Sequence, residues 1–308
     1  MSSKSMILAA AAAFLAAPAA ALTPAATTAV RPAQGEVVEI PFAPPIGRTL
    51  RYRLVREATR AGRPNRSEVV LAILFRQASP DYVMSVRIEL PPGLPPPSGA
   101  TGLGELFNQP MEFRLSADGE ILELLNIEAM WTATERALRE SVAGERPDER
   151  AREAMEQIMG QMRALSPEAQ RDLFAQNVAP VVAAAATTFT VGEEMSDRGR
   201  AESVVGSLEQ SSSVRLDGAD SRIARLSMRS SVSNEELEAG MRSMIGGLAP
   251  AGRPMPAFRI VSNEAIETYH VSRETGLTES YRIEKRVVTA VGAVEERGVQ
   301  VQSLELIR

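Results

Sequence analysis

The sequence predicts an α+β fold, a curved, half-barrel-like antiparallel β-sheet covered by a helical block inserted mid-chain. Three observations carry that expectation. Residues 48–125 and 187–308 alternate apolar and polar side chains at period two, broken by Gly, Pro and Asp turns. Residues 126–186 abandon that period for a helical one. Each helix then has one apolar side to cover, and an isolated helix of this length is marginal in water, so its partners are the flanking strands or the neighbouring helices.

In chain order, Lys4 and the free amine open a positive stretch, Met6 to about Ala17 is apolar, and Ala19, Ala20 and Ala21 give a small-residue cleavage pattern. Residues 1–21 therefore read as a secretory signal peptide cleaved after about Ala21. The alternative is an uncleaved anchor. Pro18 and Pro24 interrupt it, and its apolar core is shorter than the roughly 20 residues a span requires. A periplasmic or secreted protein is expected, without a stable membrane span after signal removal. Residues 22–47, rich in Ala, Pro and Thr, form an extended lead with a short strand at Val37 to Ile40. Residues 48–308 make a single domain with a helical insertion at 126–186.

Leu50, Tyr52 and Leu54 mark a half-buried strand, and Val69 to Phe75 a strand covered on both faces. Beyond Pro80-Asp81, the positions Tyr82, Met84, Val86, Ile88 and Leu90 complete a meander. Pro91 to Gly104 is a proline- and glycine-rich surface loop. Met111, Phe113 and Leu115 then run through the turn Ala117-Asp118-Gly119 into a strand ending near Leu125.

Ile127, Met130, Trp131, Thr134, Leu138 and Val142 share one helical face. A second helix restarts after Gly144, with Pro147 in its first turn and Met155, Ile158, Met159 and Met162 along it. Ser166 and Pro167 read as N-cap and first helical residue of a third, which Pro180 ends or kinks.

Strands resume at Thr187 to Val191. Gly192, Glu193 and Glu194 read as a turn, and 201–216 as one or two strands. Asp217 to Asp220 turns the chain into Ala224, Leu226, Met228, Ser230 and Val232. Ser233 and Glu236 offer a capping box for a short helix carrying Leu237, Met241, Met244, Ile245 and Leu248. Three strands close the chain. In the last, the apolar phase shifts from Val299 and Val301 to Leu304 and Leu306, which calls for a bulge or a change of covering layer.

Composition excludes several function classes. The net charge of −5 argues against a nucleic-acid partner. The absence of cysteine removes disulfides, thiol nucleophiles and a lipidated cysteine, and a single histidine, His270, removes most zinc sites. The basic residues are arginines except Lys4 and Lys285. His270 has no Gly-x-Ser-x-Gly elbow to serve, no glycine loop has phosphate-binding context, and the Asp217 turn lacks the ligands of a calcium loop. No catalytic, cofactor or metal residue is assigned, and no cofactor is expected. The methionines are the one anomaly. Met155, Met159 and Met162, with Trp131, Met84 and Tyr281, are the candidate surface for an apolar ligand.

Two short stretches carry a resemblance. The turn Thr190-Val191-Gly192-Glu193-Glu194, with Met195 where a tryptophan is usual, and the hairpin from Tyr269 to Tyr281 around Thr275-Gly276 resemble a family of uncharacterised exported bacterial proteins. More distantly, the plan is similar to the half-barrels of periplasmic lipoprotein carriers, which implies an apolar ligand and transfers no catalytic residue. The expected function is a non-catalytic envelope protein that binds an apolar or lipid-like ligand or an envelope partner. The alternatives are a carboxylate-based hydrolase and a purely structural assembly module.

Overall fold

In the computed structural model, which describes residues 35–60, 63–90, 109–143, 149–203, 205–248, 258–291 and 294–307, the period-two segments become strands. The expected signal peptide at 1–21, the expected lead as far as residue 34, and the loop and helix restart expected at Pro91 to Gly104 and Gly144 to Asp148 lie outside those residues. The strands are β1 (Val37–Ile40), β2 (Thr49–Arg60), β3 (Arg63–Ala78), β4 (Asp81–Glu89), β5 (Met111–Leu115), β6 (Ile121–Leu124), β7 (Thr187–Thr190), β8 (Glu194–Ser203), β9 (Gly206–Ala219), β10 (Ile223–Val232), β11 (Phe258–Ser272), β12 (Thr278–Val291) and β13 (Val294–Ile307).

Eleven of them form one antiparallel sheet in the order β6-β5-β4-β3-β2-β13-β12-β11-β10-β9-β8, and β1 pairs separately with β7. Every neighbour in the large sheet except β2 and β13 is a hairpin or meander step. At that seam the final strand lies beside the first strand of the sheet, Leu304 opposite Leu54, so both halves of the chain build one layer.

The helices are α1 (Ile127–Ala143), α2 (Glu149–Arg163), α3 (Pro167–Ala175), the short α4 (Ala179–Val182) and α5 (Asn234–Leu248). Ser166 caps α3, its hydroxyl accepting from the Ala169 N–H at 3.2 Å. Pro180 sits in the first turn of α4, where its missing N–H costs nothing. One buried cluster joins Met130, Ala175, Val178, Val181 and Val182 to strand residues from Val38 through Leu304. Thr278 on β12 donates its hydroxyl to the Pro180 carbonyl at 2.6 Å.

One expectation is corrected and one is narrowed. Glu194 opens β8, a polar strand whose edge position leaves it largely exposed and without an apolar face to announce it. The phase shift in β13 is no bulge, since its pairing with β12 and β2 runs without a break. Val299 is 37% exposed and Leu304 1% exposed, so the shift is a change of face in an unbroken strand.

Cross-strand partners share a face, which lets the register be read as rows across the core face. The first row, Val69, Leu54, Leu304, Tyr281, Tyr269, Leu226 and Leu216, is apolar or aromatic throughout. Two residues further along the strands the row is Arg56, Gln302, Ile283, Glu267, Met228 and Val214. Two further still it is Ala58, Gln300, Lys285, Ala265, Ser230 and Ser212, all half-buried. The opposite face is charged and exposed, with cross-strand ion pairs such as Arg53–Glu305 at 2.6 Å and Arg76–Glu112 at 2.7 Å.

Candidate functional site

The second and third rows hold the polar cluster that a packing core does not need. Glu267 is the one buried acid among the described residues, 2% exposed. Tyr269 follows it by two on β11 and so shares its face, and Tyr281 stands opposite Tyr269 on β12. Both tyrosine hydroxyls donate to the same carboxylate oxygen, Oε2, at 2.5 and 3.0 Å, and their rings lie 4.8 Å apart. Glu267 Oε1 accepts no hydrogen bond from a described residue.

Burial raises the Glu267 carboxyl above the usual range, with the tyrosine hydroxyls and Lys285 pulling the other way. Both phenols are pushed up, first by burial and then by the carboxylate. Burial lowers Lys285, and the neighbouring Arg56 adds to that while Glu267 opposes it. Arg56 is held from two sides, its Nε donating to Gln302 Oε1 at 3.0 Å and its Nη2 to Asn177 Oδ1 in the turn between α3 and α4. Neither partner carries charge, so the guanidinium is oriented without being neutralised. Among the described residues, Lys285 has neither a hydrogen bond nor an ion pair.

Of the six candidate ligand-surface residues, Tyr281 alone belongs to this cluster. Met84 is fully buried on β4 between Phe75 and Phe113 of the adjoining strands. Trp131 is 1% exposed; its indole N–H donates to Gln170 Oε1 at 2.7 Å, and it meets Phe174 of α3 edge-on at 4.9 Å. Arg163 lies over the indole at 5.9 Å. On α2, Met162 is buried and Met159 half-buried, while the Met155 side chain lies outside the described residues.

His270 points to the exposed face. It lines an open depression of about 570 Å³ with Arg53, Glu279, Ser280 and Glu305. Among the described residues no group of three or more His, Asp or Glu side chains could hold a metal ion, and no helix is long and apolar enough to cross a membrane.

Sequence reasoning missed Arg56, Glu267, Lys285 and Gln302. One signal was present, since Lys285 is the only lysine besides Lys4 in a chain otherwise supplied with arginine. No family model and no curated protein matches the chain. Among solved structures, the crystal structure of Rv2717c from M. tuberculosis is similar at 9% identity, covering 83% of this chain and 91% of that one, with a TM-score of 0.23. A likeness at that level carries no argument about fold or function.

Proposed function

We propose that this chain is a non-catalytic exported protein of the bacterial envelope that binds an apolar or lipid-like ligand on the core face of its sheet. In this reading the eleven strands curl into a half-barrel, the helices between residues 127 and 182 lie across its concave side, and residues 48–308 act as one domain. The signal peptide directs the chain to the periplasm or beyond.

The observation that carries the reading is the change along the core face. A face that only had to pack would stay apolar to its end. This one turns polar while still half-buried, and its polar row contains a cation, Lys285, with no hydrogen bond or ion pair among the described residues. Apolar surface with a few convergent polar groups is the usual make-up of a small-molecule site. The sharing of one buried cluster by Val178, Val181 and Val182 with the strands supports the helices as cover. The resemblances to exported bacterial proteins and to lipoprotein carriers fit the same role.

Native mass spectrometry of the protein purified from its own envelope tests the reading. An added mass that organic solvent releases and palmitate restores is the expected result. A bare chain that also fails to take up palmitate would overturn it, and a co-purifying protein in place of a small molecule would move the role to an envelope partner.

A further inference from the structure

We infer that Arg56 and Lys285 form the seat for the anionic head, a carboxylate or phosphate, of a single-chain amphiphile whose tail runs along the core face toward α5. This rests on the proposed ligand-binding role and names the chemistry that selects the ligand.

Charge is the first argument. Among the described residues, Lys285 lies between Arg56 and one carboxylate, Glu267, and that carboxylate is occupied by two tyrosine hydroxyls. Among the described residues at least one cation is left in excess in a half-buried place, where an unpaired charge is costly and a counter-ion is favoured. Geometry is the second. Gln302 and Asn177 fix two of the Arg56 nitrogens, and the described residues leave its Nη1 hydrogens unused. A guanidinium held this way presents a planar donor edge to an oxyanion, and Lys285 adds a point charge beside it.

The surroundings supply the third argument. Ala265, which is small, stands directly across from Lys285 on β11, and Ser230 lies beyond it, so that row carries little bulk. Along β12 the face continues through Val287 to Thr289, opposite Ile260. Ile260 belongs to a second apolar cluster with Leu208, Leu237 and Met241, the last two from α5. Lys285 to Thr289 spans roughly 13 Å at strand rise, so a tail from a head at Lys285 passes Val287, between Asn263 and Gly298, before it reaches Ile260 and the α5 cluster.

Lys285 also provides the test, because it is the only lysine besides Lys4. Reductive ¹³C-methylation of the full chain, which keeps the charge, labels Lys285 together with Lys4 and the α-amine; the signal missing from Lys285→Met is assigned to Lys285, and its titration is followed by NMR alongside calorimetric binding of palmitate, hexadecanol, lysophosphatidic acid, acetate and inorganic phosphate. Palmitate or lysophosphatidic acid is expected to bind at least about tenfold tighter than hexadecanol and to raise the Lys285 pKa, which hexadecanol leaves in place. Lys285→Met should remove that preference and spare hexadecanol binding. Equal binding of palmitate and hexadecanol, with Lys285 unmoved, would overturn the head-group seat and leave the ligand-binding role standing. Acetate or phosphate binding as tightly as palmitate would overturn the tail path. Failure of every amphiphile to bind would overturn both the seat and the role.

Discussion

Replacing Glu267 by Gln should make the protein less sensitive to rising pH. The carboxyl is raised by burial in the folded state, so between the ordinary glutamate value and the raised one the folded protein holds a proton that the unfolded chain has lost. Stability from this group is fully present below the unfolded value and disappears as pH climbs through the folded one. In that window the wild type should lose about 1.4 kcal/mol per pH unit relative to the variant. Glutamine does not titrate, and its carbonyl can still accept from Tyr269 or Tyr281. Glu267→Leu acts differently: it removes the acceptor that both hydroxyls share and leaves them only each other, at about 1–3 kcal/mol at every pH. Urea unfolding followed by far-UV circular dichroism, from about pH 4 to pH 8, measures both variants. The reasoning fails if the Gln variant falls further behind the wild type as pH rises, since that would mean the ionised carboxylate is the form the fold prefers.

The other predictions concern the parts that hold the cluster in place. Trp131→Ala should cost about 3–5 kcal/mol in urea unfolding, from the cavity beside Phe174 and the loss of the Gln170 bond, and native tryptophan emission should be that of a buried indole. Gly276 has a φ of +72°, and a Cβ there would stand 1.7 Å from the Pro41 carbonyl oxygen. Gly276→Ala should therefore cost more than the roughly 1–2 kcal/mol of the left-handed backbone alone, and faster amide exchange at Ala43, whose N–H donates to Thr275, would report the displaced lead. Ser166→Ala should cost about 1 kcal/mol by removing the cap of α3, measurable in the same unfolding assay.

Much of this architecture was legible in the sequence because local rules agree with the final pairing. Tyr52 and Leu54 alternate as a one-sided strand should, Asp118 and Gly119 turn the β5–β6 hairpin, and Ser166 caps the helix that its spacing implied. The signal failed where tertiary contacts override local pattern. β8 is polar along its length and is a strand only because β9 offers a ladder to it. The capping box at Ser233 is half formed. Ser233 Oγ accepts from the Glu236 N–H at 3.3 Å, but the Ser233 N–H already donates to the Glu209 carbonyl, so Glu236 turns to the Glu209 N–H and to Arg200.

The site was the least legible part for a related reason. Arg56 and Gln302 lie 246 residues apart and meet only across the β2–β13 seam, which no period or motif encodes. The phase shift in β13 was the nearest clue. Gln300 and Gln302 occupy the inward positions there because the face they line is polar, and the apolar Val299 and Val301 are thereby sent outward.

The most direct test of the binding face is photo-crosslinking with a palmitate that carries a diazirine on its chain, read by peptide mass spectrometry. Labelling on the core-face positions of β11 and β12, around Ala265 and Val287, is the predicted outcome. Labelling in the depression lined by Arg53, His270 and Glu305, on the other side of the same sheet, would contradict it.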